Sequence, residues 1–307
     1  MVRIFLGVTH KPWFDFLAAM QPDEVNFWQP SGTGAFKALQ PGDLFLFKLK
    51  GADNAIAGGG VFGHASSAPL SLVWEAFGPK NGVASQEDMR RTIAQLRRVS
   101  APLGAREDPV VGCRILTEPF FWPREWWIPV PESFARQTVV GKGYATDEPE
   151  GLRLWNAVQE RLQARPAGPV PERGERWGAP SLLRRRLGQG AFRLTVTDGY
   201  GRRCAVSGEK TLPILDAAHI RAYGEGGEHE VENGLLLRTD IHRLFDLGYV
   251  TVTPSGTFAV SERLKADFDN GVHYYAMQGR EVAGPRPGFA PPAPEALHWH
   301  RENRYLG

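Results

Sequence analysis

The spacing of apolar residues changes along the chain, and each change marks an element. MVRIFLGV at 1–8 reads as a strand, and KPWFDFLAAM at 11–20 as a short helix with Trp13, Phe14 and Phe16 near its start. PGDLFLFKLKG at 41–51 is a strand entered through a Pro-Gly-Asp turn, with Leu44, Leu46 and Lys48 on one side and Phe45, Phe47 and Leu49 on the other. AIAGGGVFGHA at 55–65 is a strand broken by glycines, where the backbone either bulges or lets a partner come close. SLVWEAFG reads as a helix or a strand end, SQEDMRRTIAQLRR as an amphipathic helix, VVGCRILTEPFFW as another strand and GLRLWNAVQERL as a helix. Strands with few, short helices predict a small curved sheet or barrel with helices at its rim.

RPAGPVPERGERWGAP, from Arg165 to Pro180, lacks apolar periodicity and is rich in Pro, Gly and charge, which predicts a linker. After it, LLRRRLGQGAFRLTVTDGYGRRC reads as a helix leading onward, and LPILDAAHI with GLLL as the two strands of a small hairpin. IHRLFDLG is a helix that stops at Gly248, with Thr239 or Asp240 as its N-cap. GYVTVTPSGTFAVSERL predicts a second hairpin, turning at Pro254-Ser255-Gly256, and then a helix. HWHRENRYLG either docks back on this part or leaves His298 and His300 on the surface. The fold class is α+β, divided into a domain at 1–165, a linker at 166–180 and a second domain at 181–307.

Composition narrows the class. A chain of 307 residues suits two domains at roughly 100–200 residues each, and 42% hydrophobic residues with nine Trp supply two cores. One cysteine in each domain, Cys113 and Cys204, argues against a disulfide framework. Apolar runs too short to span a bilayer, and an N-terminus unlike a signal peptide, lead to the expectation of a cytoplasmic protein without a membrane partner. Net charge is only +2, yet eight arginines fall between Arg173 and Arg203 against Glu175 and Asp198. Such a stripe either solubilises a linker or contacts DNA phosphates, and Arg184, Arg185, Arg186, Arg202 and Arg203 are the candidates for contact.

The chemistry concentrates beyond that stripe. His219 lies fourteen residues before Asn233, which lies nine before His242, across strand, turn-rich loop, strand and helix. Phosphodiester hydrolysis needs a base for water and a cation to neutralise the charge developing on phosphate and leaving oxygen. His219 is the candidate base, since a neutral imidazole titrates near physiological pH. Asn233 is the candidate brace, tying the loop down through its amide. His242 and Asp246, four apart on one helix face, have ligand spacing, although Asp246 also reads as an ordinary surface carboxylate.

This order, with AAHI and NGLLLRTDIHRLFD around it, resembles the HNH endonuclease family, whose ββα finger holds one divalent metal. RLGQGAFR resembles the lead-in of one large bacterial branch of that family. The resemblance implies DNA hydrolysis with Mg²⁺ or Mn²⁺ and catalytic roles for His219, Asn233 and His242. It also exposes departures. Where many HNH domains carry a metal ligand just before the base, this chain has Ala218; Asp216, two residues earlier on the same strand face, is the alternative ligand. Where many carry two CxxC pairs for structural zinc, it has Cys204, Ser207, Arg238 and Ile241. One thiol cannot build that site, so the expectation is no structural zinc and an apolar core with Ile241 and Leu244 turned inward.

FWQPSG, then PGDLFLFKL, then a glycine-rich strand resembles, over roughly residues 1–160, the PUA superfamily that includes EVE, YTH, ASCH and SRA domains. Those domains commonly bind a modified or flipped base in an aromatic pocket, for which Trp28, Gln29, Ser31 and Trp122 are the candidates here. A reader fused to an HNH nuclease resembles modification-dependent restriction endonucleases, which implies double-stranded DNA with modified cytosine as partner. One finger cuts one strand, so a double-strand cut would call for a homodimer. The alternative is a DNA-binding or nicking HNH protein whose first domain reads RNA, sequence or a protein partner.

Overall fold

The computed structural model describes residues 1–32, 36–97, 107–164, 188–222 and 225–307. Contacts divide the chain into two compact units, Met1–Arg184 and Arg185–Gly307. The linker expected at 166–180 lies outside the described residues, as do Arg184, Arg185 and Arg186. No described helix is long and apolar enough to cross a membrane.

The first unit is built on strands β1 (Arg3–Thr9), β2 (Glu24–Asn26), β3 (Leu44–Leu49), β4 (Ala55–Pro69), β5 (Val110–Phe121), β6 (Ile128–Pro129) and β7 (Gly141–Ala145). Its helices are α1 (Lys11–Met20), α2 (Leu70–Phe77), α3 (Gln86–Leu96) and α4 (Pro149–Ala164). The sheet runs β2-β5-β4-β3-β1-β7, with β6 beside β4. β1 and β3 are parallel while the other pairs are antiparallel. The path ends at β2 and β7, so among the described residues no strand pair closes it into the barrel that was one of the two expectations.

Period-two alternation on β3 divides its side chains as its sequence predicts. Leu44 and Leu46 join Ile4, Leu6, Trp122 and the α4 residues Leu154 and Val158 in one core. Phe45, Phe47 and Leu49 join Phe5, Phe14, Phe27 and Leu116 in another, so both faces of the sheet are covered. The glycines of β4 mark close approach between strands. A Cβ on Gly58 would strike the Phe120 carbonyl oxygen and one on Gly59 the Phe45 carbonyl oxygen, and the register slips between Gly59 and Val61. They bulge the sheet; they do not open it to a ligand.

The second unit comprises α5 (Gln189–Gly199), β8 (Leu215–His219), β9 (Gly234–Arg238), α6 (Thr239–Asp246), β10 (Val250–Val252), β11 (Phe258–Val260), α7 (Glu262–Phe268), α8 (Val272–Tyr275) and α9 (Pro294–Asn303). β8 and β9 pair antiparallel, His219 opposite Gly234, and β10 pairs with β11 across a turn in which Gly256 has φ +80°. One core joins Phe192 and Val196 of α5 to Ala218, Leu235, Leu236, Leu237, Ile241, Phe245 and Leu297. The positions where CxxC pairs would stand are filled without a thiolate cluster. Cys204 is buried and accepts a hydrogen bond from the Ser207 amide at 3.4 Å, Ile241 is fully buried, and Leu244 packs partly against the core.

α9 docks on this unit through His300, which is 2% exposed. The His300 ring stacks on Phe245 at 3.6 Å, and its nitrogens meet Thr251 Oγ1 at 2.9 Å and the Phe245 carbonyl at 3.0 Å. Beyond α9, the Leu306 amide donates to the Gly248 carbonyl at 2.9 Å. His298 stays exposed.

Candidate active site

The β8–β9 hairpin presents its functional groups because register fixes their faces. His219 ends β8, and its ring lies flat on Phe192 of α5, with centroids 3.9 Å apart and planes 10° from parallel. Gly234 opposite leaves room for this arrangement, since a Cβ there would stand 2.6 Å from Val196 and 3.0 Å from the Phe192 ring. His219 Nε2 lies 2.8 Å from Nδ1 of His229, so one ring donates to the other. Burial, reinforced by the nearby His229 and His242, pushes His219 down to about 4, which keeps its imidazole neutral around pH 7. His229 was not anticipated from the sequence. It sits in the loop between the strands, where no periodicity points to it.

Asn233 is 8% exposed and braces that loop at both ends. Its Oδ1 accepts from the Arg221 amide at 2.9 Å, and its Nδ2 donates to the Arg221 and Glu228 carbonyls, each at 2.9 Å. The Asn233 carbonyl takes the Ile220 amide at 2.9 Å, so the residue after the base is fixed as well.

His242 stands between two carboxylates. Asp216 Oδ2 of β8 is 3.3 Å from its Nδ1, and Asp246 Oδ2, one turn along α6, is 3.5 Å from its Nε2. Both candidate second ligands therefore meet the same imidazole. Ala218, fully buried in the core, supplies nothing. Arg193 of α5, also not anticipated, reaches to 3.9 Å from Asp216 Oδ1. Among the described residues no three His, Cys, Asp or Glu side chains converge as a ready-made metal cage. The donor types nonetheless suit a divalent cation: an imidazole nitrogen of His242 together with the carboxylate that faces it, Asp216 at Nδ1 or Asp246 at Nε2.

Neither expected cap of α6 acts as one. Arg238 occupies the N-cap without a side-chain cap bond, because the Asp240 carboxylate is drawn to the Arg238 guanidinium, Nε to Oδ1 2.9 Å, and to Tyr274 Oη at 3.2 Å. That pairing holds Asp240 below the usual carboxylate range. Of the phosphate candidates among the described residues, Arg202 lies 3.7 Å from Asp198 and Arg203 is exposed.

In the first unit, Trp28, Gln29 and Ser31 line a cleft of about 1290 Å³ together with Trp13, Lys48, Lys50 and others. The Gln29 side-chain oxygen is already held by Arg114 at 2.8 Å. Trp122 does not belong to this cleft. It is 6% exposed, packed at 5.0 Å on Phe120 within the core, because strand alternation turns it inward.

Compared with known proteins, the chain matches no curated one. Residues 204–253 match the family model described as HNH endonuclease, a family of nucleases that generally use a divalent metal, and this span contains His219, Asn233, His242 and both carboxylates.

Proposed function

We propose that this protein is a metal-dependent HNH endonuclease that hydrolyses DNA, and that its first unit directs the cut to DNA carrying modified cytosine. The observation that carries the catalytic part is the convergence of a neutral, Phe192-backed His219, an Asn233 brace and a His242 flanked by Asp216 and Asp246 inside a ββα unit. His242 with Asp216 or Asp246 would hold the metal, and Mg²⁺ or Mn²⁺ bound there would supply positive charge to the phosphate and leaving oxygen. His219 takes the proton of the attacking water on a ring nitrogen not shared with His229. Asn233 keeps the His219 strand at a fixed place against its loop, so the base does not drift from the reacting phosphate. Arg202 and Arg203 lie just before the finger, where phosphate contact would steady the duplex. The partly open Trp28 in the cleft of the first unit supports base reading, since an extruded base regains stacking on an aromatic wall.

The test is cleavage by the full chain with Mg²⁺ or Mn²⁺ of duplexes carrying plain, methylated, hydroxymethylated or glucosylated cytosine. Cutting is expected on at least one modified duplex in preference to the plain one, to stop with EDTA, and to disappear in His219→Ala and His242→Ala while DNA binding persists. Intact DNA under every condition defeats the nuclease assignment. Equal cutting of plain and modified duplexes defeats the reader assignment and leaves the nuclease standing.

A further inference from the structure

The loop between β8 and β9 carries a second imidazole, and the chain around it is tied down at several points. His229 stands ten residues after His219, with its Nδ1 2.8 Å from Nε2 of that ring. The Gly227 amide donates to the Ala222 carbonyl at 3.0 Å, and Arg221 Nε donates to the Glu225 carbonyl at 2.7 Å. Asn233 Nδ2 takes the Glu228 carbonyl at 2.9 Å, one residue before the ring. Arg304, just past α9, holds the Glu225 carboxylate at 2.6 Å. Gly227 leaves no room for a side chain, since a Cβ there would run into the Arg221 carbonyl. A loop held in this way sets His229 against His219 before any substrate arrives.

The surroundings of His219 leave one of its nitrogens for chemistry. Phe192 covers a ring face, His229 takes Nε2, and among the described residues nothing bonds Nδ1. A hydrogen bond between two neutral imidazoles contains one proton, and which ring owns it decides what Nδ1 can do. If His229 donates, Nε2 of His219 is the acceptor and the proton of His219 sits on Nδ1, where it meets water as a donor. If His219 donates, its proton sits on Nε2 and Nδ1 keeps a free lone pair. Only the second state can take a proton from water. Two imidazolium rings would set N–H against N–H across 2.8 Å, so the pair holds at most one charge.

We propose that His229 is a positioning residue for the candidate base: its Nδ1 accepts the Nε2 proton of His219, which leaves the Nδ1 lone pair of His219 for the attacking water. The assignment deepens the nuclease reading above and rests on it for the role of His219. The water's proton passes to Nδ1 of His219, its oxygen forms the new bond to phosphorus, and the bond to the leaving oxygen breaks with its electron pair on that oxygen. His219 keeps its Nε2 proton throughout, and the imidazolium that forms donates a stronger, charge-assisted bond to the same acceptor. The proton on Nδ1 is then released to solvent. His229 thus fixes tautomer and ring orientation before the reaction and steadies the charge during it, the part a carboxylate plays behind other catalytic histidines.

Two measurements on the full chain test this. In metal-free protein, long-range proton–nitrogen correlation spectra distinguish a protonated ring nitrogen from a bare one, with the His219 signals assigned by their loss in His219→Ala. His219 is expected to carry hydrogen on Nε2 and none on Nδ1, and His229→Leu should turn this into a mixture of both tautomers. With Mg²⁺ or Mn²⁺ and a cleavable duplex, His229→Leu should lower kcat about tenfold to a hundredfold while KM stays within about twofold. His229→Asn sets an amide oxygen where Nδ1 stood and should restore the tautomer and most of the rate. His229→Gln, whose oxygen lies nearer the old Nε2 position, should not; if His229→Leu does not fold, this Asn and Gln pair carries the comparison. A parent His219 with its proton on Nδ1, a folded His229→Leu with parental kcat, or Asn and Gln variants that turn over alike overturns the proposal. A parent that leaves every duplex intact defeats the nuclease reading instead, and the tautomer spectra still decide what His229 does to His219.

Discussion

Replacing Asn233 by Asp changes one atom that receives nothing and donates two bonds. The Oδ1 that accepts the Arg221 amide is preserved, but the Nδ2 that donates to the Arg221 and Glu228 carbonyls, each at 2.9 Å, becomes an oxygen facing two oxygens. Two net bonds at about 1 kcal/mol each are lost, and the site is 8% exposed, so the repulsion among three acceptors adds about 1–2 kcal/mol more. The total is about 3–4 kcal/mol, taken from the second unit alone. With a urea dependence of about 1–3 kcal/mol per molar, the midpoint of one unfolding transition should fall by about 1–4 M. Equilibrium unfolding followed by circular dichroism on the full chain reads it, with the first unit's transition as the control. A midpoint within about 0.3 M of the parent's, or an equal fall in both transitions, would refute the brace.

Three further outcomes follow from the same contacts. Burial holds His300 down to about 4 against 6.5 for a free imidazole, so the unfolded chain takes up the proton first and this contribution is complete above about pH 6.5. It is lost as pH falls toward 4, amounting to about 3 kcal/mol, and His300→Gln should flatten the pH dependence of the second unit's urea midpoint over that window by a comparable amount. An unchanged slope speaks against it. Gly234→Ala puts a methyl against Val196 and the Phe192 ring, so it should shift Phe192 under His219 and lower the cleavage rate more than it lowers stability, which overpacking costs about 1–3 kcal/mol. Gly58→Ala meets the Phe120 carbonyl and should destabilise the first unit by a similar amount without touching cleavage of a substrate the second unit accepts, as thermal unfolding and a rate assay together would show.

The sequence was legible where structure is local. Alternation located β1, β3 and the β8–β9 hairpin, and the i, i+4 pair His242 and Asp246 lies on α6 as its spacing requires. Elements made by their partners were not legible. GKGYA becomes β7 because β1 offers it an edge, and HASSAP extends β4 because β5 runs beside it, though neither has the composition of a strand. His229 belongs to a loop whose place is set by Asn233, so nothing near it in the chain marks it. Trp122 was misplaced for the opposite reason: the aromatic run FFW alternates faces, and the third ring fell inward. Asp240 had the right residue type for a cap and was captured by the neighbouring Arg238 instead.

The docking of α9 and the residues after it has a consequence for how the protein is made. Phe245, on the helix that carries His242, is covered by His300, and the Gly248 carbonyl is capped by the Leu306 amide. During synthesis the first unit can collect its contacts well before these residues exist, whereas the finger has to wait for them. A cell producing this chain therefore has the first unit assembled on the ribosome before the second is complete, and a chain truncated ahead of α9 should be released with its first unit formed and its second unsealed.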